Sequence, residues 1–135
     1  MGGERDLGRL LATLDPELRP GRYVFAVAPA ACAPAGVQPV ATVREAEGLT
    51  VVLTQEEADR AGLTYDVVLA MITLRVHSSL EAVGMTAAFS AALAAAGVSA
   101  NVVAGLHHDH VFVPAAHGER AVELLRALAA SAASA

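Results

Sequence analysis

The segment most informative about the fold is VGMTAAFSAALAAAGVSANVVAG, residues 83–105. Its apolar residues recur on one stripe over Met85–Ala96, which predicts a helix, and Gly97 follows as the residue that ends it. The continuation Val98–Gly105 predicts a strand. The preceding run DVVLAMITLRVH, Asp66–His77, is nearly continuous in apolar residues over its first part, which is typical of a strand covered on both faces. The region therefore has the strand–helix–strand order of a βαβ unit.

Three more elements complete this half of the chain. Val111–Pro114 predicts a strand, Leu106–His110 the turn before it, and Glu119–Ser131 an amphipathic helix. The resulting order, β–α–β–β–α, matches the first five elements of a ferredoxin-like βαββαβ unit. Its sixth strand is missing, so it must come from elsewhere in the chain.

The first half has more strands than helices. Its predicted elements are a short helix carrying Leu7, Leu10, Leu11 and Leu14 that begins at Asp6 and ends before Pro16, a strand at Arg22–Ala28, a hairpin of Ala41–Arg44 and Leu49–Leu53, and a helix after Thr54 that stops at Gly62. Thr54 and Glu57 have the spacing of a capping box. Three prolines and a glycine predict a loop over residues 29–39. We expect the two halves, 1–63 and 64–135, to complete one another's sheet.

The composition limits the classes of partner. Hydrophobic residues make up 55% of the 135 and charged residues 17%, which is enough apolar material for a core and argues against disorder. The net charge is −5 and Lys and Arg form no cluster, so nucleic acid and an anionic membrane surface are disfavoured as partners. Aromatic residues, at 4%, are too few for the stacking platforms that single-stranded nucleic acid needs.

Cysteine usage and hydropathy predict a cytoplasmic protein. Cys32 is the only cysteine, so no intramolecular disulfide can form, which fits a reducing compartment. Residues 1–6 are polar and lack the apolar core of a signal peptide, and no run reaches the ~20 apolar residues of a membrane span. Cys32 lies in a predicted loop without a catalytic-looking partner, and we interpret it as incidental.

Several segments together resemble the ACT domain. Val83–Thr86 followed by Ala91–Ser99 resembles its signature, in which a glycine opens the first helix and a second glycine leads into the next strand. Asn101–Gly105 and Asp109–Pro114 are similar to the bacterial family of short tandem-ACT proteins, and to the related ACT domains of animal cytosolic arginine sensors. Thr42–Leu53 resembles the degenerate first repeat of that family.

The resemblance implies a fold and a site. The fold is α+β, a ferredoxin-like (ACT) βαββαβ sandwich in which two ACT-like halves share strands; 1–63 is the degenerate N-terminal half and 64–135 the C-terminal ACT domain. In related sensors the ligand lies between two ACT units. By position, the ligand-binding residues here are Ser79, Ala82, Val83, Gly84, Met85 and Thr86 on a loop, with Gly105, Leu106, His108 and Asp109 on a turn. His107 and His108 replace less basic residues of the sensors, which leaves the choice of ligand open.

The residue types at these positions suit an amino acid. The loop precedes a helix N-terminus, where free N–H groups and the helix dipole favour an anion such as an α-carboxylate. Gly84 lets the backbone come close, and Asp109 can accept a hydrogen bond from an α-ammonium or a guanidinium. The structural alternative is that Gly84 only turns the chain and Asp109 only caps a hairpin.

Catalytic and metal-dependent functions have weaker support. His107, His108, Asp109 and His110 include metal-ligand types, but adjacent turn residues point in different directions and no HExxH or spaced Cys/His pair occurs. No nucleophile elbow, GxGxxG or P-loop occurs either. We therefore expect a non-catalytic regulatory or sensor module without metal or cofactor, and a structural or partner-binding module as the alternative. The alanine-rich face of Met85–Ala96 permits close approach of a second copy in a homodimer.

Overall fold

The computed structural model describes residues 6–76 and 83–134 of the chain. Its elements follow one another as α1 (Leu7–Ala12), β1 (Asp15–Leu18), β2 (Tyr23–Ala28), β3 (Ala41–Glu45), β4 (Gly48–Thr54), α2 (Gln55–Arg60), β5 (Leu69–Arg75), α3 (Met85–Ala95), β6 (Asn101–Ala104), β7 (Asp109–Pro114), a 3₁₀ turn (Ala115–His117) and α4 (Gly118–Ser134). In this described part of the chain, no helix is long and apolar enough to span a bilayer.

The strands form one antiparallel sheet. Six of them lie in the order β3–β4–β2–β5–β7–β6, and β1 pairs with β5 as well. The contact between β2 and β5, which joins the two halves, contains the single register pair Tyr23–Leu69. The sheet is thus continuous, but its two halves meet over a short length of strand.

The strand missing from the second half comes from the N-terminal region. β1 pairs antiparallel with β5, from Asp15 opposite Arg75 to Leu18 opposite Ile72. We assigned no strand to these residues, because Pro16 breaks the pattern. An edge strand tolerates proline, since it donates hydrogen bonds to only one neighbour. The second half therefore has all four strands of a ferredoxin-like unit, although one of them precedes the rest of the unit in the chain.

Helices α1, α3 and α4 cover one face of this second half. β5 presents Ala70, Ile72 and Leu74 to them, because alternate residues of a strand point to the same side. Helix residues at the centre of the cluster are Leu10 and Leu11 of α1, Phe89 and Leu93 of α3, and Ala121 and Leu125 of α4. Leu14, predicted to share the stripe of α1, lies beyond the helix end but in the same cluster. The N-terminal helix and β1 therefore belong to the core of the second half.

The first half has a smaller core. Its cluster comprises Val24, Ala26 and Ala28 of β2, Val51 and Leu53 of β4, and Ala58 of α2. Where the second half has α3, the first half has the segment 29–40, which contains no helix or strand. Ala33 and Val37 of this segment pack against the cluster. A loop thus takes the place of the first ACT helix, as expected for a degenerate repeat.

Glu57 ties this loop to α2. Its Oε2 accepts a hydrogen bond from the backbone N–H of Gln38 at 2.9 Å, and its Oε1 accepts one from the hydroxyl of Thr54 at 3.1 Å. Thr54 Oγ1 accepts in turn from the backbone N–H of Glu57 at 3.2 Å, which confirms the predicted capping box. The hydrogen bond from Gln38 is the main cause of a lowered pKa at the Glu57 carboxyl.

A third cluster, on the opposite face of the sheet, consists of strand residues. Its buried members are Tyr23, Val52, Leu69, Met71 and Phe112, with Phe25, Ala41 and Val103 partly buried beside them. We call this side the strand-only face. Phe25 of β2 and Phe112 of β7 meet edge to face across β5, with ring centroids 5.3 Å apart. β2 and β7 are not neighbouring strands, so this contact joins the two halves beyond the strand pairing.

Candidate functional site

The predicted loop residues begin α3. Val83, Gly84, Met85 and Thr86 lie at its start, whereas Ser79 and Ala82 lie outside the described residues. Gly84 has a φ of +95°, a conformation that favours glycine, and a Cβ there would lie 3.1 Å from Cδ2 of Leu7. Gly84 has no side chain with which to cap α3, so the first-turn N–H groups receive no hydrogen bond from this position.

The predicted turn is shorter than expected. The backbone N–H of Gly105 donates to the carbonyl of His108 at 2.9 Å, which closes the turn. Asp109 and His110, which we expected in the turn, are instead the first residues of β7. They pair with Ala104 and Val103 of β6, because the register leaves only residues 105–108 unpaired. Leu106 is 71% exposed at the tip.

The sheet register places the predicted turn beside the end of β5. Asp109 is opposite Leu74 of β5, and β5 ends at Arg75. From there the chain leads to residues 83–86 at the start of α3. Because β5 and β7 are antiparallel, the start of β7 lies beside the end of β5. The turn 105–108, which precedes β7, therefore lies at the end of β5 from which the chain continues towards α3.

Asp109 lies on the helix-covered side of the sheet. Its cross-strand partner Leu74 belongs to the cluster under α1, α3 and α4, and directly opposed residues point to the same face. The Asp109 side chain is half-buried there. Burial raises the pKa of its carboxyl, and the nearby charge of His110 opposes this shift only in part. A ligand cation would therefore be attracted to an incompletely solvated carboxylate.

Two histidines, His108 and His110, flank Asp109 in the sequence, and their environments differ. Nδ1 of His108 is buried and makes no hydrogen bond within the described residues. Nδ1 of His110 lies 3.1 Å from Oγ1 of the buried Thr73. Burial lowers the pKa of His110, and the charges of His108 and Arg19 lower it further. The lowered pKa favours an uncharged His110 ring at neutral pH, whereas the buried Nδ1 of His108 is without a partner among the described residues.

Polar residues of β1 and β5 share the strand-only face with His110 and were missed by sequence reasoning. Glu17 pairs with Arg75, and also with Arg19 at 3.4 Å. Glu17 is 58 residues from Arg75 in the chain, and no motif connects them. They come together only because β1 inserts beside β5, and we had assigned no strand there. Glu17, Thr73 and His110 form one row across three strands.

The site has few groups for metal chemistry. Among residues 6–76 and 83–134, no three His, Cys, Asp or Glu side chains are arranged to hold a metal ion. Cys32 is exposed, in the segment that replaces a helix of the first half. The groups that the described site offers are the Asp109 carboxylate, histidine rings and the N–H groups at the start of α3. These groups can recognise a charged small molecule.

Comparison with known families and structures agrees with the fold. Residues 2–70 and residues 67–127 each match a family model described as an ACT domain. None of the curated protein sequences matches.

Solved structures agree as well. A Vibrio cholerae protein of unknown function, described as a possible transport protein, is 44% identical, with a TM-score of 0.80 over 93% of this chain and 97% of that one. An Agrobacterium tumefaciens protein is 20% identical, with a TM-score of 0.70 over 86% and 89%. The ligand-free regulatory subunit of Thermus thermophilus aspartate kinase is 13% identical, with a TM-score of 0.60 over 84% and 95%, and shows likeness of fold.

Proposed function

This chain belongs to the ACT-domain family, whose domains are typically regulatory ligand-binding modules, and we propose that it is a non-catalytic cytoplasmic sensor of an amino acid. The ligand is held between ACT units by Val83–Thr86 and by Gly105, Leu106, His108 and Asp109, together with Ser79 and Ala82, which lie outside the described residues. The second unit is the first half of the chain or a second copy in a homodimer.

The observation that carries the proposal is that the turn adjoins the end of β5 from which the chain leads to α3. The N–H groups at the start of α3 favour a carboxylate, and Asp109 favours an ammonium. Both ends of a zwitterion would thus be bound from one end of the sheet.

Nδ1 of His108, which has no hydrogen-bond partner among the described residues, also supports a ligand. Burying a polar atom without a partner costs about 1–3 kcal/mol, which a ligand that supplies the partner would recover. The raised pKa of Asp109 has a similar implication, because its ionised form is poorly solvated until a cation arrives. In the free protein both groups are destabilising, which is common at binding sites.

A thermal-shift screen against the twenty amino acids tests the proposal. A ligand at 100 times its Kd adds about 2.7 kcal/mol, which raises the Tm by roughly 5 °C or more in a domain of this size. Asp109→Asn should abolish that shift while leaving the Tm of the free protein unchanged or higher, because it removes a poorly solvated carboxylate. Glu123→Gln, an exposed change of equal charge on α4, should keep the shift.

The alternative is a structural or partner-binding ACT module that has lost its ligand. Its support is the exposed turn tip at Leu106 and the exposed Val83, which suit a protein contact as well as a ligand. If no amino acid raises the Tm at millimolar concentration, while Leu106→Ser weakens self-association in sedimentation experiments, the alternative replaces the proposal.

A further inference from the structure

A crease separates the two halves on the strand-only face. β2 and β5 share only the register pair Tyr23–Leu69, which is the first residue of each strand, so the two strands extend away from this pair in opposite directions. Two hollows of about 300 and 400 Å³ open there. The smaller is lined by Phe25, Asp66, Val67, Leu69, Ser99 and Asn101. The larger lies beside Val27, Thr50 and Tyr65, and shares Phe25 and Asp66 with the smaller.

The crease is remote from the candidate amino-acid site. Leu69 is the first residue of β5, whereas the turn 105–108 adjoins the last. The crease is at the opposite end of β5, and on the opposite face from Asp109. None of the residues lining it belongs to the site proposed above, so the two sites can be tested separately.

Phe25 provides a fixed aromatic surface in the crease. Its ring meets Phe112 edge to face at 90°, and Phe112 also contacts Tyr23 with ring centroids 6.2 Å apart. Phe112 is fully buried, so it holds the Phe25 ring in place, while Phe25 itself is only partly buried. Val67, 54% exposed, adds an apolar wall.

Asp66 is the charged group of the crease. Within the described residues its carboxylate has no hydrogen bond or ion pair, and neither Lys nor Arg lines either hollow. The neighbouring carboxylates are already used: Glu45 accepts from the hydroxyl of Thr50, and Asp59 from the hydroxyl of Tyr65 at 2.7 Å. An unpaired carboxylate beside an aromatic face and an apolar wall favours a cation with an aliphatic tail.

We propose that the crease is a second binding site, for a small organic cation such as a primary alkylamine. The ammonium group contacts the Asp66 carboxylate and the face of Phe25, and the alkyl tail lies against Val67 and Leu69. Ser99 and Asn101 provide polar groups at the rim. A carboxylate ligand of the same size is repelled by Asp66, and a neutral alcohol lacks the charge that the site is built to receive.

Three probes of equal length test this charge selectivity. Titration of ¹⁵N-labelled protein with butylammonium should shift the amide resonances of residues 25, 66–69, 99 and 101 at millimolar concentration. Butanol should bind about tenfold more weakly, since it lacks the charge-assisted contact, and butyrate should cause no saturable shift. Equal binding of butanol and butylammonium, or shifts confined to other residues, would overturn the proposal.

Substitutions separate the two interactions. Asp66→Asn should weaken butylammonium binding about tenfold, whereas Glu123→Gln, with the same charge change on exposed α4, should leave it unchanged. Phe25→Leu keeps an apolar side chain but removes the ring, so it should weaken butylammonium several-fold and butanol little. Unchanged butylammonium affinity in Asp66→Asn contradicts the site. Asp109→Asn should retain it, whatever the outcome at the amino-acid site.

Discussion

The two halves of the sheet share an arrangement of three antiparallel strands, β3–β4–β2 and β6–β7–β5, but the second half adds β1 and more helix. The second half is covered by α1, α3 and α4 and encloses a core that includes Phe89, Leu93 and Leu125. The first half has only α2, and its core is made mostly of Val and Ala with Leu53. The half that kept its first helix also keeps the candidate ligand site. The half that replaced this helix by a loop has no equivalent helix N-terminus at that position.

The first half is stabilised by contacts with the second half. β2 lies between β4 and β5, and Phe25 packs on Phe112 of the second half. In return, the N-terminal segment 6–18 contributes α1 and β1 to the second half. The division of the chain between residues 63 and 64 remains a prediction. The contacts that each half makes with the other favour a single folding unit.

Paired core substitutions should have the largest effect, and they test whether the two halves unfold together. Leu93→Ala in the second half and Leu53→Ala in the first each remove a fully buried side chain and should lower the free energy of unfolding by about 2–5 kcal/mol. Both variants should still unfold in one transition by calorimetry and by circular dichroism. A separate early transition in Leu53→Ala would show that the halves unfold independently.

The hairpin glycines of the two halves should affect stability alike but differ in their effect on ligand binding. A Cβ on Gly105 would lie 2.9 Å from the carbonyl oxygen of His108, and one on Gly48 would lie 2.8 Å from Cγ1 of Val27. Gly105→Ala and Gly48→Ala should each destabilise by about 1–3 kcal/mol. Only Gly105→Ala should also reduce amino-acid binding in the thermal-shift assay. A loss of binding in Gly48→Ala would instead assign ligand recognition to both halves.

The loop that replaces the first helix should have a smaller, pH-dependent contribution. Glu57→Gln weakens the hydrogen bonds to Gln38 and Thr54 and should cost about 1 kcal/mol at pH 7. The folded-state pKa of Glu57 is lowered from 4.5, so its contribution is present above that pH and is lost as the pH falls through the lower folded value. Urea unfolding of both proteins should therefore converge in acid. A constant difference down to pH 2 would contradict this assignment.

His110 should produce the smallest effect, and in the second half alone. Its folded-state pKa lies below 6.5, so the unfolded chain takes up the proton first as the pH falls. Stability is thus lost on acidification below about 6.5. Asp109, whose pKa is raised from 3.8, acts in the opposite sense at lower pH. His110→Asn should flatten the Tm profile between pH 7 and 5, and an unchanged slope would assign the loss to other groups.

Most of the fold was predictable because its signals are local. The capping box at Thr54 and Glu57, the N-cap at Asp6 and the positive φ of Gly97 each depend on residues within one turn. β1 was not predictable, because its four residues become a strand only by pairing with β5, and Pro16 is a poor strand residue in isolation. The prediction that a strand must come from elsewhere was right, but periodicity could not say from where.

The candidate site was predictable in position but not in environment. Residue types and the ACT resemblance led to Gly84 and Asp109, whose positions in the sheet follow from the strand order. Side-chain packing between distant segments determines the environment of the site. It buries Nδ1 of His108 without a partner among the described residues, and it brings together Glu17, Arg19 and Arg75. No spacing in the sequence records such packing. The same holds for the crease, since Phe25 and Asn101 come from different halves.

The insertion of β1 beside β5 makes the second unit discontinuous along the chain, and this determines how it can be rearranged. α1 packs against α4, so the N-terminal segment and the last helix lie on one core. Joining residues 6–18 behind Ser134 through a short linker would place all four strands of the second unit in continuous order. Such a circular permutant should fold faster, because less chain has to be looped to pack α1 and β1 against α4. In the natural order, a ribosome must synthesise β5 before β1 has a strand to join.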